Sequence, residues 1–552
     1  MSAPIVQTNN AKFVSIIPEN GTEFQEGQKI IFNLDPALGY IKARDSYLCF
    51  DIQNTSSASI KYTLANAGIS SIIKQVNIYS KQNGMLLETL DNYNKWVACE
   101  ASYRFDDTSN LTALEGFPES IHADGVGSLG GGAGQETYVK NGRNTYGDAT
   151  SHRLSPSDDT GNTRFAPVRF MTPLRCGIFR HWDDEVLVPI LMMGGLRIEL
   201  ILAPSREVLD IPYTGKDFQD GGGFHISEGI LGDGAGSALK CPIDNFLATA
   251  TEVDITLGPF GAGHQRSGFC LGQSVNIAGT GLGGAGLNRT ITGIRTDGAQ
   301  TKITLNAATG TAVADGSAKM CILSTTIAND LAQKAYKIVN AEFKLLQEMP
   351  PNNQMKNIDY TFTSYDLFRT TIPKTQLNFN QDIQSVASKA VSLFTRYEDP
   401  NYNTDTLFPH TQYYEGTNPD KGINLNSIVY FINNKMYPLS AYNPSAGADK
   451  IINQNEVVKA FGTLGIAVKN LGSAQYFDLN GYTNRYLHAR ELARGNSVFD
   501  LQNAEPQIRL GFSAARATDD LNRTINNVNM ETLVFSKKIL KIDGDTGLTL
   551  IH

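Results

Sequence analysis

The chain has 552 residues, more than one hydrophobic core usually organises, so two or more domains are expected. Hydrophobic residues make up 41% and charged residues only 18%, and the 51 glycines, with abundant Asn and Thr, favour many turns between short strands over helix bundles. A formal net charge of −8, with no Lys or Arg in Met1 to Asn10, argues against a protein that condenses nucleic acid through a basic arm.

Strand signals dominate from the start. Lys29 to Leu34 is a short β-rich run closed by Asp35-Pro36, and Tyr47 to Gln53 is a second. Ile69 to Tyr79 and Met85 to Leu90 flank Lys81-Gln82-Asn83-Gly84, where Asn-Gly predicts a hairpin. Tyr93 to Tyr103 has helical character. Residues 106–163 are then rich in Gly, Ser, Asp and Asn and are expected to form one long exposed loop excursion. Strands return at Arg169 to Phe179, at Val186 to Ile190, and in the alternating run Gly194 to Ser205. From Glu252 to Leu323 a compact series follows: Val253 to Leu257, Gln273 to Ile277, a hairpin of Thr290 to Ile294 with Thr301 to Leu305 turning at Asp297-Gly298, and Met320 to Leu323. This series is expected to be a small β module inserted into the larger domain.

The order of elements repeats. Tyr47 to Ile52 leads into Ile72 to Tyr79, and Val391 to Tyr397 leads into Leu425 to Ile432, each pair followed by a turn and a methionine, Met85 or Met436. Leu196 to Leu200 is echoed by Gln507 to Phe512, and Tyr336 to Lys344 by Glu531 to Ile539. Two all-β units in tandem suit sandwiches of jelly-roll type, which manage their edges by pairing two sheets.

Chemical motifs are weak. Gly279-Thr280-Gly281-Leu282-Gly283-Gly284 matches G-x-G-x-x-G, but a dinucleotide site needs a helix next and Asn288 to Ile294 continues as strand. Ser71-Ile72-Ile73-Lys74 has S-x-x-K spacing inside a predicted strand, with no partner motif. The eight histidines (122, 152, 181, 225, 264, 410, 488 and 552) are singletons without metal-ligand spacing. His181-Trp182-Asp183-Asp184-Glu185 reads as an exposed acidic turn before it reads as a cation site. Six cysteines (49, 99, 176, 241, 270 and 321) form no CxxC, and Cys49 reads as core. Phe362, Tyr365 and Phe368, like Tyr402, Phe408, Tyr413 and Tyr414, serve core packing or subunit contacts on one reading and a carbohydrate platform on the other. No signal peptide and no bilayer-length apolar stretch is visible, so Asn110-Leu111-Thr112 and Asn522-Arg523-Thr524 are not expected to meet the glycosylation machinery. No catalytic, cofactor or metal residue is therefore assigned, and an enzyme is not expected.

The order of these strands, with Val188-Pro189-Ile190 and Gly194-Gly195-Leu196-Arg197-Ile198-Glu199-Leu200, resembles the major capsid proteins of polinton-like viruses and virophages. The likeness runs from about Phe13 to the C-terminus, outside 106–163 and 210–333. The resemblance implies an all-β double jelly-roll, two tandem eight-stranded jelly rolls with long loop insertions and the small inserted β module. It implies homotrimers of pseudo-hexagonal outline that pave an icosahedral shell around double-stranded DNA, beside neighbouring capsomers, penton and minor capsid proteins. In that family the rolls stand upright and long loops form towers, for which the two excursions are candidates; the β module departs from the common core. The chain then divides into an N-terminal arm at 1–12, a first jelly roll at 13–350 with its excursion at 106–163 and module at about 210–333, and a second jelly roll at 351–552. Met1 to Asn10 is expected to order against a neighbouring subunit. The expected location is the virion, after synthesis inside the host cell without a secretory signal. The alternative is an adhesive or carbohydrate-binding β-sandwich, a fibre or lectin, using the module at 252–323.

Overall fold

The computed structural model describes residues 11–55, 63–103, 114–116, 121–127, 136–140, 167–210, 241–255, 274–310, 318–322, 334–348, 357–398, 425–466, 487–512 and 527–551, with short gaps inside several stretches. The first unit is built from β1 (Lys12–Ile16), β2 (Lys29–Leu34), β3 (Tyr40–Asn54), β4 (Ile73–Ser80), β5 (Leu86–Asp91), β6 (Val168–Thr172) and β7 (Leu196–Leu202). Six strands then intervene: β8 (Cys241–Ile243), β9 (Glu252–Ile255), β10 (Ser274–Gly279), β11 (Leu287–Asp297), β12 (Gln300–Leu305) and β13 (Ala318–Ile322). They close on themselves as a barrel in the order β8-β9-β12-β11-β10-β13. The chain returns to the first unit as β14 (Tyr336–Glu348).

The second unit comprises β15 (Asn357–Pro373), β16 (Asn378–Asp382), β17 (Ala390–Glu398), β18 (Leu425–Ile432), β19 (Lys435–Tyr442), β20 (Leu487–Glu491), β21 (Gln507–Phe512) and β22 (Asn527–Asp543), with β23 (Gly547–Ile551) added beside β22. The sheets of the first unit run β1-β14-β3-β6 and β2-β7-β4-β5; those of the second run β15-β22-β17-β20 and β16-β21-β18-β19. Numbered within each unit, both read 1-8-3-6 against 2-7-4-5. That strand order is a jelly roll, and it occurs twice. The echoes in the sequence fall on equivalent strands, the third, fourth, seventh and eighth of each roll.

Alternation explains the packing of each sandwich. Leu48, Phe50 and Ile52 of β3 and Phe343 of β14 face inward, and Phe32 of β2 meets Phe343 edge-on across the two sheets at 5.9 Å. In the second roll Leu393, Tyr397, Ile428, Tyr430, Ile508, Met530 and Val534 fill the equivalent space. The Asn83-Gly84 turn joins β4 to β5 as its sequence predicts, with Gly84 at φ +70°.

Several local expectations change. Gly68–Ile72 is a buried 3-10 turn and the strand begins only at Ile73, because a short apolar run does not distinguish strand from helical turn by periodicity. The strand expected over Arg169 to Phe179 stops at Thr172 before Pro173, and Gly177–Phe179 forms another 3-10 turn. The excursion at 106–163 contains a two-stranded hairpin, Ile121–Gly127 with Glu136–Lys140, where the sequence reading placed only loop. Helix α1 (Tyr93–Tyr103) lies where its pattern predicts, whereas α2 (Asp449–Thr463) had no counterpart in the sequence reading. The buried side of α2 carries Asn453 and Glu456 among Val457, Ala460, Phe461 and Leu464, so two polar residues interrupt its apolar stripe.

Candidate assembly site: the seam between the two rolls

The rolls meet where β5, α1 and the turn Gly177–Phe179 of the first lie against β15 and the outward side of the β15-β22-β17-β20 sheet of the second. Helix α1 begins at Asn92, which takes φ +51°, a left-handed conformation Asn tolerates; its carbonyl accepts from the amides of Lys95 and Trp96 at 3.0 and 3.1 Å. From Tyr93 to Glu100 every residue is buried, so the polar side chains need partners within the protein.

Towards the first roll, the Tyr93 hydroxyl accepts from the Arg175 amide at 2.9 Å and the Asn94 amide group donates to Glu207 at 3.0 Å. The buried Arg175 guanidinium donates to Glu115 at 2.6 Å and faces Glu100 at 3.5 Å. Burial opposes its charge, but Glu115 and Glu100 outweigh that and raise its pKa further. Thr172 donates to Glu115 at 2.9 Å and shares a hydrogen bond with Ser70 at 2.8 Å, which ties the base of the helix to the roll it leaves.

Towards the second roll, Trp96 enters an aromatic cage. Its ring lies 4.6 Å from Phe535, 5.2 Å from Phe394, 6.0 Å from Phe461 of α2 and 6.2 Å from Tyr365. Beside it, Glu531 of β22 stands opposite Arg369 of β15 and Arg396 of β17 in the strand register, so two arginines bracket one carboxylate across three strands. Arg396 Nε donates to Glu531 at 2.6 Å, Arg369 Nε at 2.8 Å, and Asn92 of the first roll at 2.9 Å. Burial alone would raise the Glu531 carboxyl, but Arg396, Lys95 and Arg369 hold it below the usual carboxylate range. Lys95 comes from α1, so this balance of charge spans the seam.

Further along, the Tyr360 hydroxyl donates to the Ile178 carbonyl at 2.7 Å and the Tyr365 hydroxyl to the Asp91 carbonyl at 2.8 Å. Glu88 accepts from the Ile178 amide at 2.8 Å, and burial pushes its carboxyl up. Gly177, at φ +82°, sits so close to that carboxylate that a Cβ would overlap its oxygens.

Helix α2 is locked to the second roll through Asn453, whose Oδ1 accepts from Tyr442 at 3.1 Å and lies 2.9 Å from His488 Nδ1, while its amide donates to the Leu487 carbonyl at 3.1 Å. Burial lowers the His488 pKa to about 3, so the folded protein keeps this ring neutral. The unfolded chain binds that proton below about pH 6.5 and the folded chain does not, so stability falls on acidification. As pH falls below about 6.5 the wild type should lose stability relative to His488→Gln, with a slope that approaches about 1.4 kcal/mol per pH unit between about pH 5.5 and 4.5. Denaturant titrations of both proteins across that window test this, and parallel curves would refute it.

Among the described residues the sequence motifs do not converge on one site. Ser71 is buried in the 3-10 turn, and Lys74 pairs with Glu207 at 3.7 Å. Gly279 ends β10, and the next described element is strand β11 rather than the helix a dinucleotide fingerprint requires. Phe362 and Tyr365 are buried rather than displayed. Burial pushes the Cys49 thiol up to about 11, which disfavours the nucleophilic thiolate at neutral pH. His181 to Glu185, Met1 to Asn10, and Tyr402, Phe408, Tyr413 and Tyr414 lie outside the described residues. Among the described residues no group of three His, Cys, Asp or Glu is placed to hold a metal, and no helix is long and apolar enough to cross a membrane. The sequence reading missed the bracketed carboxylate. Its available signal was a charged residue, Arg396 or Glu531, standing inside a run of large apolar residues, beside Phe394 and Tyr397 in β17 and Met530 and Leu533 in β22.

The class of protein is thus a double jelly-roll with its rolls fused through a desolvated, charge-balanced seam and a barrel inserted between the seventh and eighth strands of the first. No family model matches the chain, and no curated protein matches it in sequence. Among solved structures it is similar to a chain of the Sputnik virophage determined by cryo-EM, at 11% identity over 100% of this chain and 90% of that one, with a TM-score of 0.49. It is also similar to the Faustovirus major capsid protein (10% identity, 97% and 90% covered, TM-score 0.45) and to the mavirus major capsid protein (10% identity, 100% and 91% covered, TM-score 0.34).

Proposed function

We propose that this chain is the major capsid protein of a double-stranded DNA virus, a structural tile that forms pseudo-hexameric trimers and assembles into an icosahedral shell. The observation that carries the reading is the repetition of one jelly roll in the same strand order, joined by a seam too buried to act as a hinge. A wall needs flat, rigid, near-equivalent units with variable loops at their ends, and two fused rolls supply them. The chain divides at about residue 350, and the segments 106–163 and 210–333 belong to the outward surface. Residues 1–12 act as an arm towards a neighbour. Penton and minor capsid proteins are its further partners, the virion is its location, and its work is assembly rather than catalysis.

Size-exclusion chromatography with light scattering tests this. The purified chain should elute at about three times its 60.1 kDa mass and show pseudo-hexagonal particles by negative stain. A persistent monomer that binds glycans would overturn the proposal.

A further inference from the structure

The first strand of the second roll is held from one side only. β15 pairs with β22 along its whole length and with no other described strand, so any load on it falls on that one ladder. Lys538 of β22 stands opposite Phe362 of β15, and its ammonium reaches along the strand to Asp366 at 3.1 Å. The lysine side chain is 5% exposed and the aspartate side chain 34%, so the amine is closed off from solvent while the carboxyl keeps one open side. Strand β5 of the first roll packs against β15, and its Glu88 lies close enough to act on the charge of both Lys538 and Asp366. Glu88 is buried, and among the described residues its Oε1 takes no hydrogen bond. An unpartnered buried oxygen suits a protonated acid, and burial pushes this carboxyl up. A lysine amine, a carboxyl group and a proton-carrying acid thus converge where two strands of one roll meet a strand of the other.

We propose that Lys538 and Asp366 become joined by an isopeptide bond, formed within the folded chain once Glu88 has docked beside them from the first roll. Lys538 Nζ attacks Cγ of Asp366, an Nζ–Cγ amide forms, and one Cγ–Oδ bond breaks. The ammonium gives up two protons, and Glu88 relays them to the departing oxygen, which leaves as water through the open side of Asp366. No oxidant, metal or other reagent is consumed. In bulk water hydrolysis wins this exchange, but a pair held in contact and out of water reacts at a high effective concentration, and desolvation penalises both ions. The link ties together residues 172 apart in sequence, so it closes nearly all of the second roll into one covalent ring. β15 can then no longer peel from β22. Because Glu88 comes from the first roll, only chains with a completed seam are sealed. The sealing does not depend on the capsid reading.

Intact-mass spectrometry of the denatured full-length chain tests this, with wild type, Lys538→Arg and Glu88→Gln compared after the same purification. Wild type should weigh about 18 Da less than its sequence, the mass of one water, and digestion should release a branched peptide joining Lys538 to Asp366. Lys538→Arg keeps the cation but lacks the amine, so its mass should match its own sequence. Glu88→Gln should slow the link by about a hundredfold, leaving freshly made, folded protein at full mass. A wild type of full mass overturns the proposal. So does a deficit that maps to a cyclised Asp-Gly pair, such as Asp297-Gly298, in place of a branched peptide. A Glu88→Gln protein that carries the link as fully as wild type overturns the part given to Glu88. These masses are read on single chains, so a failure here is separate from a failure to form trimers.

Discussion

Trp96→Ala is expected to destabilise the protein by about 3–5 kcal/mol, the range for emptying a large buried aromatic site. The indole touches Tyr365, Phe394, Phe461 and Phe535, so its removal leaves a cavity bordered by both rolls and by α2. None of these neighbours can close it without tearing at strand pairing, because three of the four sit in β15, β17 and β22. Guanidinium unfolding followed by circular dichroism should show a lower midpoint, and Trp96→Phe should recover part of the loss. A midpoint equal to wild type would mean that the helix is not what joins the rolls. The chain has only 2 tryptophans, so the loss of fluorescence in the variant also isolates the seam's own signal.

Glu531→Gln should cost a similar amount, about 3–5 kcal/mol, for a different reason. The amide leaves Arg396 and Lys95 charged, buried and without the anion that balances them. Because the folded carboxyl is held below its ordinary value, its contribution is present above about pH 4.5 and is lost as pH falls towards the folded value. The acid limb of the stability curve should therefore flatten in the variant below about pH 4.5. Changing Arg396 to Met together with Glu531→Leu should recover much of the single variant's loss, since buried ion pairs are often replaceable by packed apolar groups. Equal stability of wild type and Glu531→Gln in denaturant would sink the argument.

Much of the fold is legible in the sequence because a half-buried strand declares itself by alternation. Leu196-Arg197-Ile198-Glu199-Leu200 is such a case, and its partner run Gln507 to Phe512 lies on the equivalent strand of the other roll. The barrel is legible for the same reason, through the pairing of β11 with β12. The seam is not. Its strands are buried on both faces, so Val391 to Tyr397 and Met530 to Phe535 lack clean alternation, and their mixed order conceals which residues face inward and which face the other roll. Arg396 and Glu531 become a pair only through the register of strands more than a hundred residues apart. Helix α2 escaped for a related reason: Asn453 and Glu456 look solvated in the sequence, but His488 and Arg490 reach them in the interior.

The position of the barrel also sets an order of events during synthesis. Leu48 of β3 pairs with Phe343 of β14, whereas the barrel closes through Cys241 and Met320. Loop closure favours the nearer pairing, so the barrel completes itself while the first roll still lacks the central strand of one sheet. Until β14 leaves the ribosome, β1 has no neighbour and the inner faces of β2 and β3 stay open to water. A cell making this protein in quantity therefore carries many chains with an unfinished first roll and a finished barrel, and it is in that interval that chaperones have most to bind.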